Sequence, residues 1–146
     1  MSGAAPPRAL EPLAEPVAFL VQAMVQLLGI DAARAGGILY VSGGFGYEIT
    51  AGCTGLVAGT ALSIAIVASP GTRGGAAKAW GVLLGVPLVL AVNLVRLAHL
   101  FYIGVHAPQR FALAHSVLWE GAVVLITFTT WLAWMRWSAP AGEAVQ

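Results

Sequence analysis

The sequence is poor in charged residues. Only 9% of its 146 residues are Asp, Glu, Lys or Arg, whereas ordinary soluble domains carry about 25%. So few charges cannot cover a soluble surface, and 59% of the residues are hydrophobic, with a mean hydropathy of +0.85. The formal net charge of +1 provides no basic field that would attract nucleic acid. The composition therefore predicts an integral membrane protein in contact with the lipid bilayer.

Cysteine is nearly absent, because Cys53 is the only one in the chain. One thiol excludes an internal disulfide framework and a cysteine-rich zinc site. No cofactor or metal is predicted. A metal site built from His99, His106, His115 and Glu120 is an alternative, but no HExxH-like spacing supports it.

Apolar runs predict an all-α, polytopic membrane protein of about four transmembrane helices, since a span needs about 20 residues. The helix pattern also places Gln22 and Gln26 on one face of the first span, where they would face other helices. The predicted spans are 16–30, 53–68, 79–104 and 115–137.

The segments outside the spans are rich in glycine, proline and alanine. A glycine-rich extracytoplasmic loop, 31–52, contains short β-prone pieces and is predicted to form a hairpin-like loop or an irregular cap. Residues 1–15 are predicted to be a disordered or interfacial lead-in, and residues 138–146 a disordered tail. The remaining part, 16–137, is the predicted transmembrane helical domain.

Basic residues set the predicted orientation, because cytoplasmic loops carry an excess of Lys and Arg. If both termini are inside, the inner side holds more basic residues than the outer side. The inner residues are Arg8, Arg73, Lys78 and Arg136, and the outer ones are Arg34 and Arg110. The protein is therefore predicted to be a multi-pass protein of the cell (inner) membrane with cytoplasmic termini.

This orientation brings three reactive side chains to one side of the membrane. Cys53 and His115 begin the second and fourth spans at their outer ends, and Arg96 lies about 9 Å below the outer interface, six residues before Tyr102. A buried Arg costs about 2.5–3.5 kcal/mol on insertion scales, so an intramembrane Arg is a candidate for function. Asn93 shares the face of Arg96 and could hold its guanidinium.

A thiol, an imidazole and a guanidinium suit acyl transfer. A free thiol is only a few per cent thiolate at neutral pH, so His115 would take the proton of Cys53, and Arg96 would stabilise either the thiolate or the oxyanion. Each residue also has a structural interpretation: Cys53 as a packing residue, His115 as an interfacial one and Arg96 as a snorkelling one. His99 is the second candidate base, and Glu120 is expected to pair with Arg96 or Asn93 across helices.

Three motifs resemble the exosortase/archaeosortase family. They are Ala-Gly-Cys-Thr-Gly-Leu at 51–56, Asn-Leu-Val-Arg-Leu at 93–97 and a histidine, His115, that opens the next span. The order of loops and spans is similar from about residue 29 to 134. Thr54 stands where the family usually has Ser. Many members have more spans, so a partner subunit or a homo-oligomer stays open.

The resemblance implies a membrane cysteine protease and transpeptidase that acts in protein sorting at the extracytoplasmic face. Its substrate would be a membrane-tethered protein with a C-terminal sorting signal of the PEP-CTERM type. Cys53 would be the nucleophile, Arg96 the transition-state stabiliser and His115 the general base and acid, with Asn93, Thr54 and Glu120 in support. The alternative is a non-catalytic membrane assembly factor or transporter subunit, in which the Asn, Arg and Glu form a structural polar network.

Overall fold

The computed structural model describes residues 11–70 and 73–139, and the protein is mostly helical there. The predicted N-terminal lead-in and the C-terminal tail lie largely outside these residues. A short 3-10 turn, Ala51–Cys53, precedes the second helix. The helices are α1 (Glu11–Leu27), α2 (Leu56–Ala68), α3 (Gly75–His106) and α4 (Pro108–Ser138).

Two of the helices, α3 with 32 residues and α4 with 31, are long and apolar enough to cross a membrane. The other two are shorter, because α1 has 17 residues and α2 has 13. At 1.5 Å per residue α2 is about 20 Å long, against a hydrocarbon core of about 30 Å. The mostly helical character is therefore as predicted, and the crossing of the membrane by four helices stays a prediction.

Helix α1 begins at Glu11, five residues earlier than the predicted span, and Pro16 lies inside it. The extra turn is held by packing, because Ala14 is buried next to Gly37 in the segment that follows α1. Gln22 and Gln26 do not face another helix as predicted, since both side-chain amides donate to the carbonyl of Ala32, over 3.0 and 3.1 Å.

The glycine-rich segment folds into a three-stranded antiparallel sheet, so the fold is not purely α-helical. The strands are β1 (Ala33–Ala35), β2 (Ile38–Tyr40) and β3 (Gly46–Glu48), paired in that order. The β-prone pieces of the sequence correspond to β2 and β3. The first strand was not expected from its sequence, Ala-Arg-Ala, because it has no β-branched or aromatic residue.

The sheet packs onto the ends of α1 and α3 through a shared hydrophobic core. Gly104 of α3 is essential to this contact, because a Cβ there would overlap the ring of Phe45 from the loop between β2 and β3. The sheet thus fixes where the chain leaves β3 and enters the turn before α2. The fully buried members of this core include Val21, Val25, Leu39, Ile49, Leu97 and Phe101.

A second core joins α2, α3 and α4 at the opposite end of the bundle. Gly81 leaves room for the indole of Trp134, whose Nε1 donates to the carbonyl of Ala77 over 2.9 Å. Trp131 donates to the hydroxyl of Ser69 at the end of α2, over 3.0 Å. These bonds fix α4 against the other helices at the end far from the sheet.

Candidate active site

The cysteine lies where the sheet passes into α2. Cys53 ends the 3-10 turn, and its backbone N–H donates to the carbonyl of Thr50 over 2.9 Å. The turn brings two hydroxyl groups to the half-buried thiol. Sγ of Cys53 lies 3.5 Å from Oη of Tyr47 and 3.4 Å from Oγ1 of Thr50. The thiol is therefore accessible and held in a polar setting.

Two of the sequence motifs meet directly behind the thiol. The amide Nδ2 of Asn93 donates to the backbone carbonyl of Cys53 over 2.7 Å. Gly55 has a φ of +83° at the start of α2, and a Cβ there would lie 2.9 Å from Cβ of Asn93. Only glycine both adopts this left-handed backbone without strain and leaves room for the side chain of Asn93. Asn93 thus holds the turn that carries the cysteine, whereas the sequence predicted that it would hold the guanidinium of Arg96.

Arg96 lies one helical turn after Asn93 on α3. Its side chain is only 9% exposed, and its Nε has no hydrogen-bond partner among the residues that the structure describes. Its positive charge lies close enough to Tyr47 to act on the pKa of that phenol. A buried guanidinium that forms no ion pair within residues 11–70 and 73–139 is suited to bind a negative charge from a substrate.

A cavity of about 550 Å³ opens beside Arg96, between α2, α3 and α4. At one end it is bordered by Gly52 and Gly55, the residues on either side of the Cys53–Thr54 pair, and Thr54 itself is buried. The remaining walls are mostly apolar side chains of α2 and α4, among them Val57, Ala61, Leu62, Val124, Phe128 and Trp131.

His115 does not open the last helix as predicted. Helix α4 begins at Pro108, which suits the first helical turn, and His115 lies further along in a π-helical segment, Ala114–Trp119. The imidazole is half-buried and packs against two aromatic rings. Its centroid lies 5.8 Å from that of Phe111 and 6.4 Å from that of Tyr47.

The side chain of Tyr47 therefore contacts both predicted catalytic groups, the thiol through its hydroxyl and the imidazole through its ring. Among residues 11–70 and 73–139, no hydrogen bond joins His115 to Cys53 directly. The thiol and the imidazole nevertheless both contact Tyr47, and the charge of Arg96 acts on the pKa of the same phenol.

Comparison with protein families gives a match over most of the chain. The profile of the transmembrane exosortases matches residues 5–135, about nine-tenths of the chain. The chain belongs to the transmembrane exosortase family. Members of this family are membrane transpeptidases that act in protein sorting, and two long apolar helices agree with a membrane protein. Neither a curated protein nor a solved structure matches the chain.

Like Thr50, Tyr47 is a residue of the candidate site that sequence reasoning missed. Burial raises its pKa well above the ordinary value, the bond to Cys53 adds to the rise, and the charge of Arg96 opposes it. The sequence contains one signal, an aromatic residue in the β-prone piece just before the cysteine. This signal alone does not predict a contact between Tyr47 and Cys53, because the contact depends on the turn at 50–53, which brings Cys53 back beside the tyrosine.

The expected partner of Glu120 is not found. Glu120 lies on the cavity wall with Arg96 and Asn93, but it is exposed. No ion pair joins it to Arg96 in the described part of the chain. Glu120 thus borders the cavity and is exposed there, without an ion pair to Arg96 in the described residues.

The two other histidines, His99 and His106, form hydrogen bonds with neighbouring residues. Nδ1 of His99 accepts from the indole N–H of Trp119 over 2.9 Å, and Nδ1 of His106 donates to the carbonyl of Tyr102 over 3.0 Å. No cluster of three metal-ligating side chains occurs within the described ranges. The alternative metal site of His99, His106, His115 and Glu120 is therefore not assembled there.

Proposed function

We propose that the protein is a membrane-embedded cysteine protease and transpeptidase that cleaves C-terminal sorting signals of the PEP-CTERM type. Membership of the exosortase family supports the class of reaction. One observation carries the assignment of residues. Asn93 binds the backbone of Cys53, and Arg96, one turn away, borders the same cavity with a buried guanidinium whose Nε has no hydrogen-bond partner in the described part of the chain.

In the proposed reaction, Sγ of Cys53 attacks the scissile carbonyl of the substrate, and His115 accepts the thiol proton. Arg96 stabilises the oxyanion that forms on the carbonyl oxygen. The protonated His115 then donates its proton to the leaving amine, which leaves a thioester on Cys53. An acceptor nucleophile or water attacks the thioester carbonyl and releases the thiol.

The cavity suits a substrate that is itself held in the membrane. It runs from Gly52 and Gly55, beside the nucleophile, along α2 and α4 to Trp131. Its apolar walls match an apolar segment of the substrate that follows the scissile bond. We propose that this groove receives that segment, so that the bond to be cut reaches Cys53 at the end of the groove.

The distribution of basic residues supports an extracytoplasmic site. Lys78 donates to the carbonyl of Val67 near the end of α2, and Arg73 donates to the carbonyl of Ala139 after α4. Both cations therefore lie at the end of the bundle opposite to Cys53. By the positive-inside rule this end is cytoplasmic, which favours four spans, cytoplasmic termini and a site on the outer face of the cell (inner) membrane.

The structure gives little support to the non-catalytic alternative. A structural polar network would pair Arg96 with Glu120, and no such pair is formed among the described residues. Asn93 is engaged with the backbone of Cys53 rather than with either charge.

Replacement of the nucleophile tests the proposal. We expect Cys53→Ala and Cys53→Ser to abolish processing of a PEP-CTERM-type substrate in cells while the protein remains inserted at normal levels. Thr60→Ala is a matched control, because it removes an exposed hydroxyl from α2 without touching the site. Normal processing in Cys53→Ala cells would rule out the proposed mechanism.

A further inference from the structure

Two hydroxyl groups converge on the sulfur of Cys53, and only one of them is shielded from water. Thr50 is exposed, so water competes with its bond to Sγ, whereas Tyr47 is half-buried. We propose that Tyr47 is a further catalytic residue, whose hydroxyl donates a hydrogen bond to the Cys53 thiolate and so increases the thiolate fraction at neutral pH. This inference rests on the proposed function.

The direction of this bond follows from the chemistry of the two groups. A thiolate has no proton, so Tyr47 must be the donor once Cys53 is ionised. Burial raises the pKa of Tyr47, so its hydroxyl keeps its proton throughout the working range. The other charged or titratable groups around the pair are Arg96 from α3 and His115 from α4. Of these three side chains, only Tyr47 forms a hydrogen bond with Sγ in the described ranges.

The proposed step is balanced without a further reactant. The thiol proton passes to His115, Tyr47 retains its own proton, and the sulfur lone pair then forms the S–C bond with the substrate. As that bond forms, the carbonyl π electrons move to the oxygen, beside Arg96. The sulfur loses its negative charge, so the bond from Tyr47 weakens when it is no longer needed.

The hydroxyl has opposite effects on the amount and on the reactivity of the thiolate. One hydrogen bond to a charged group is expected to change the thiolate fraction about tenfold. Thiolate nucleophilicity falls as basicity falls, with a Brønsted coefficient of about 0.4–0.5, which gives about a threefold change in the other direction. Removal of the hydroxyl should therefore lower the rate at which Cys53 reacts with an electrophile at neutral pH and raise that rate at high pH.

The substitution Tyr47→Phe tests this with little change in packing, because it retains the ring that contacts Phe111 and His115. Cys53 is the only cysteine, so alkylation of the full-length protein in detergent by iodoacetamide reports on this thiol alone. For Tyr47→Phe we expect the midpoint of the rate–pH profile to rise by about one pH unit. The rate should fall about threefold at neutral pH and rise about threefold on the alkaline plateau.

Two control variants distinguish the loss of the Tyr47 hydroxyl from a general disturbance of the fold. Tyr40→Phe removes a hydroxyl from the exposed face of β2 and should leave the profile unchanged, and Thr50→Val should shift it less than Tyr47→Phe. Site-specific 3-fluorotyrosine at position 47 keeps the fold and strengthens the donor, so it should lower the midpoint. A Tyr47→Phe profile that superimposes on the wild-type profile, or a fluorotyrosine profile that does not move, overturns the inference.

The same variants separate this inference from the proposed function. If Tyr47→Phe shifts the profile but Cys53→Ala still processes substrate, the hydrogen bond is real and the enzymatic proposal is wrong. If Cys53→Ala abolishes processing but the profile of Tyr47→Phe does not change, the enzyme stands and Tyr47 has no role in activating the thiol.

Discussion

The contact between Gly55 and Asn93 gives a quantitative prediction about how the site is held together. Gly55→Ala introduces two separate costs. A left-handed backbone is disfavoured for a residue with a Cβ by about 1–2 kcal/mol. The new methyl would also lie 2.9 Å from Cβ of Asn93, so the amide that binds the carbonyl of Cys53 must move.

Loss of that hydrogen bond adds about 1 kcal/mol. We therefore expect Gly55→Ala to lower the free energy of unfolding by about 2–3 kcal/mol in total. Gly29 offers a matched control, because its φ is +82° and no atom lies within 4 Å of a Cβ placed there. Gly29→Ala should thus show the backbone cost alone, about 1–2 kcal/mol.

Both variants can be compared by reversible unfolding with sodium dodecyl sulfate in mixed micelles, followed by circular dichroism. Asn93→Ala in each background completes a double-mutant cycle, and it should reduce the excess cost of Gly55→Ala but not the cost of Gly29→Ala. If Gly55→Ala destabilises the protein no more than Gly29→Ala, then Asn93 does not hold the cysteine turn.

Three further substitutions test other parts of the account. Arg96→Lys should reduce substrate processing about a hundredfold, because a point charge does not replace a guanidinium fork at an oxyanion, whereas Arg136→Lys at the far end of α4 should retain wild-type processing. Gly104→Ala should lower the free energy of unfolding by about 1–3 kcal/mol in the micelle assay, since the methyl overlaps the ring of Phe45. Burial keeps Tyr47 protonated beyond the ordinary tyrosine pKa of 10.0. In a titration followed by tyrosinate absorbance, Tyr47→Phe should therefore show the same rise as the wild type up to about pH 11.

Much of the architecture follows from composition and spacing. Apolar runs without charge predicted the helices, and the predicted order and orientation of the spans placed Cys53, Arg96 and His115 on one side of the membrane. The link between the motifs could not be predicted, because it depends on the left-handed backbone of Gly55 and on a contact between residues 40 positions apart. Local sequence contains no signal for such a contact.

Helix boundaries and partners were less predictable for a similar reason. Helix α1 extends to Glu11 because the sheet buries Ala14. The last helix begins at Pro108, ahead of His115, because proline suits a first turn. Tyr47 entered the site only through the fold of the turn after β3. For α1 and for Tyr47, tertiary packing decided what the local pattern left open, whereas the start of α4 follows from a local signal, the proline.

The central claim is that Cys53 forms a thioester with the substrate during sorting. The most direct measurement is mass spectrometry of the protein isolated together with a tagged substrate, with and without neutral hydroxylamine. The account predicts a hydroxylamine-sensitive adduct on the peptide that contains Cys53, and none in Cys53→Ala. Processed substrate without any adduct on Cys53, together with undiminished processing by Cys53→Ala, would contradict it.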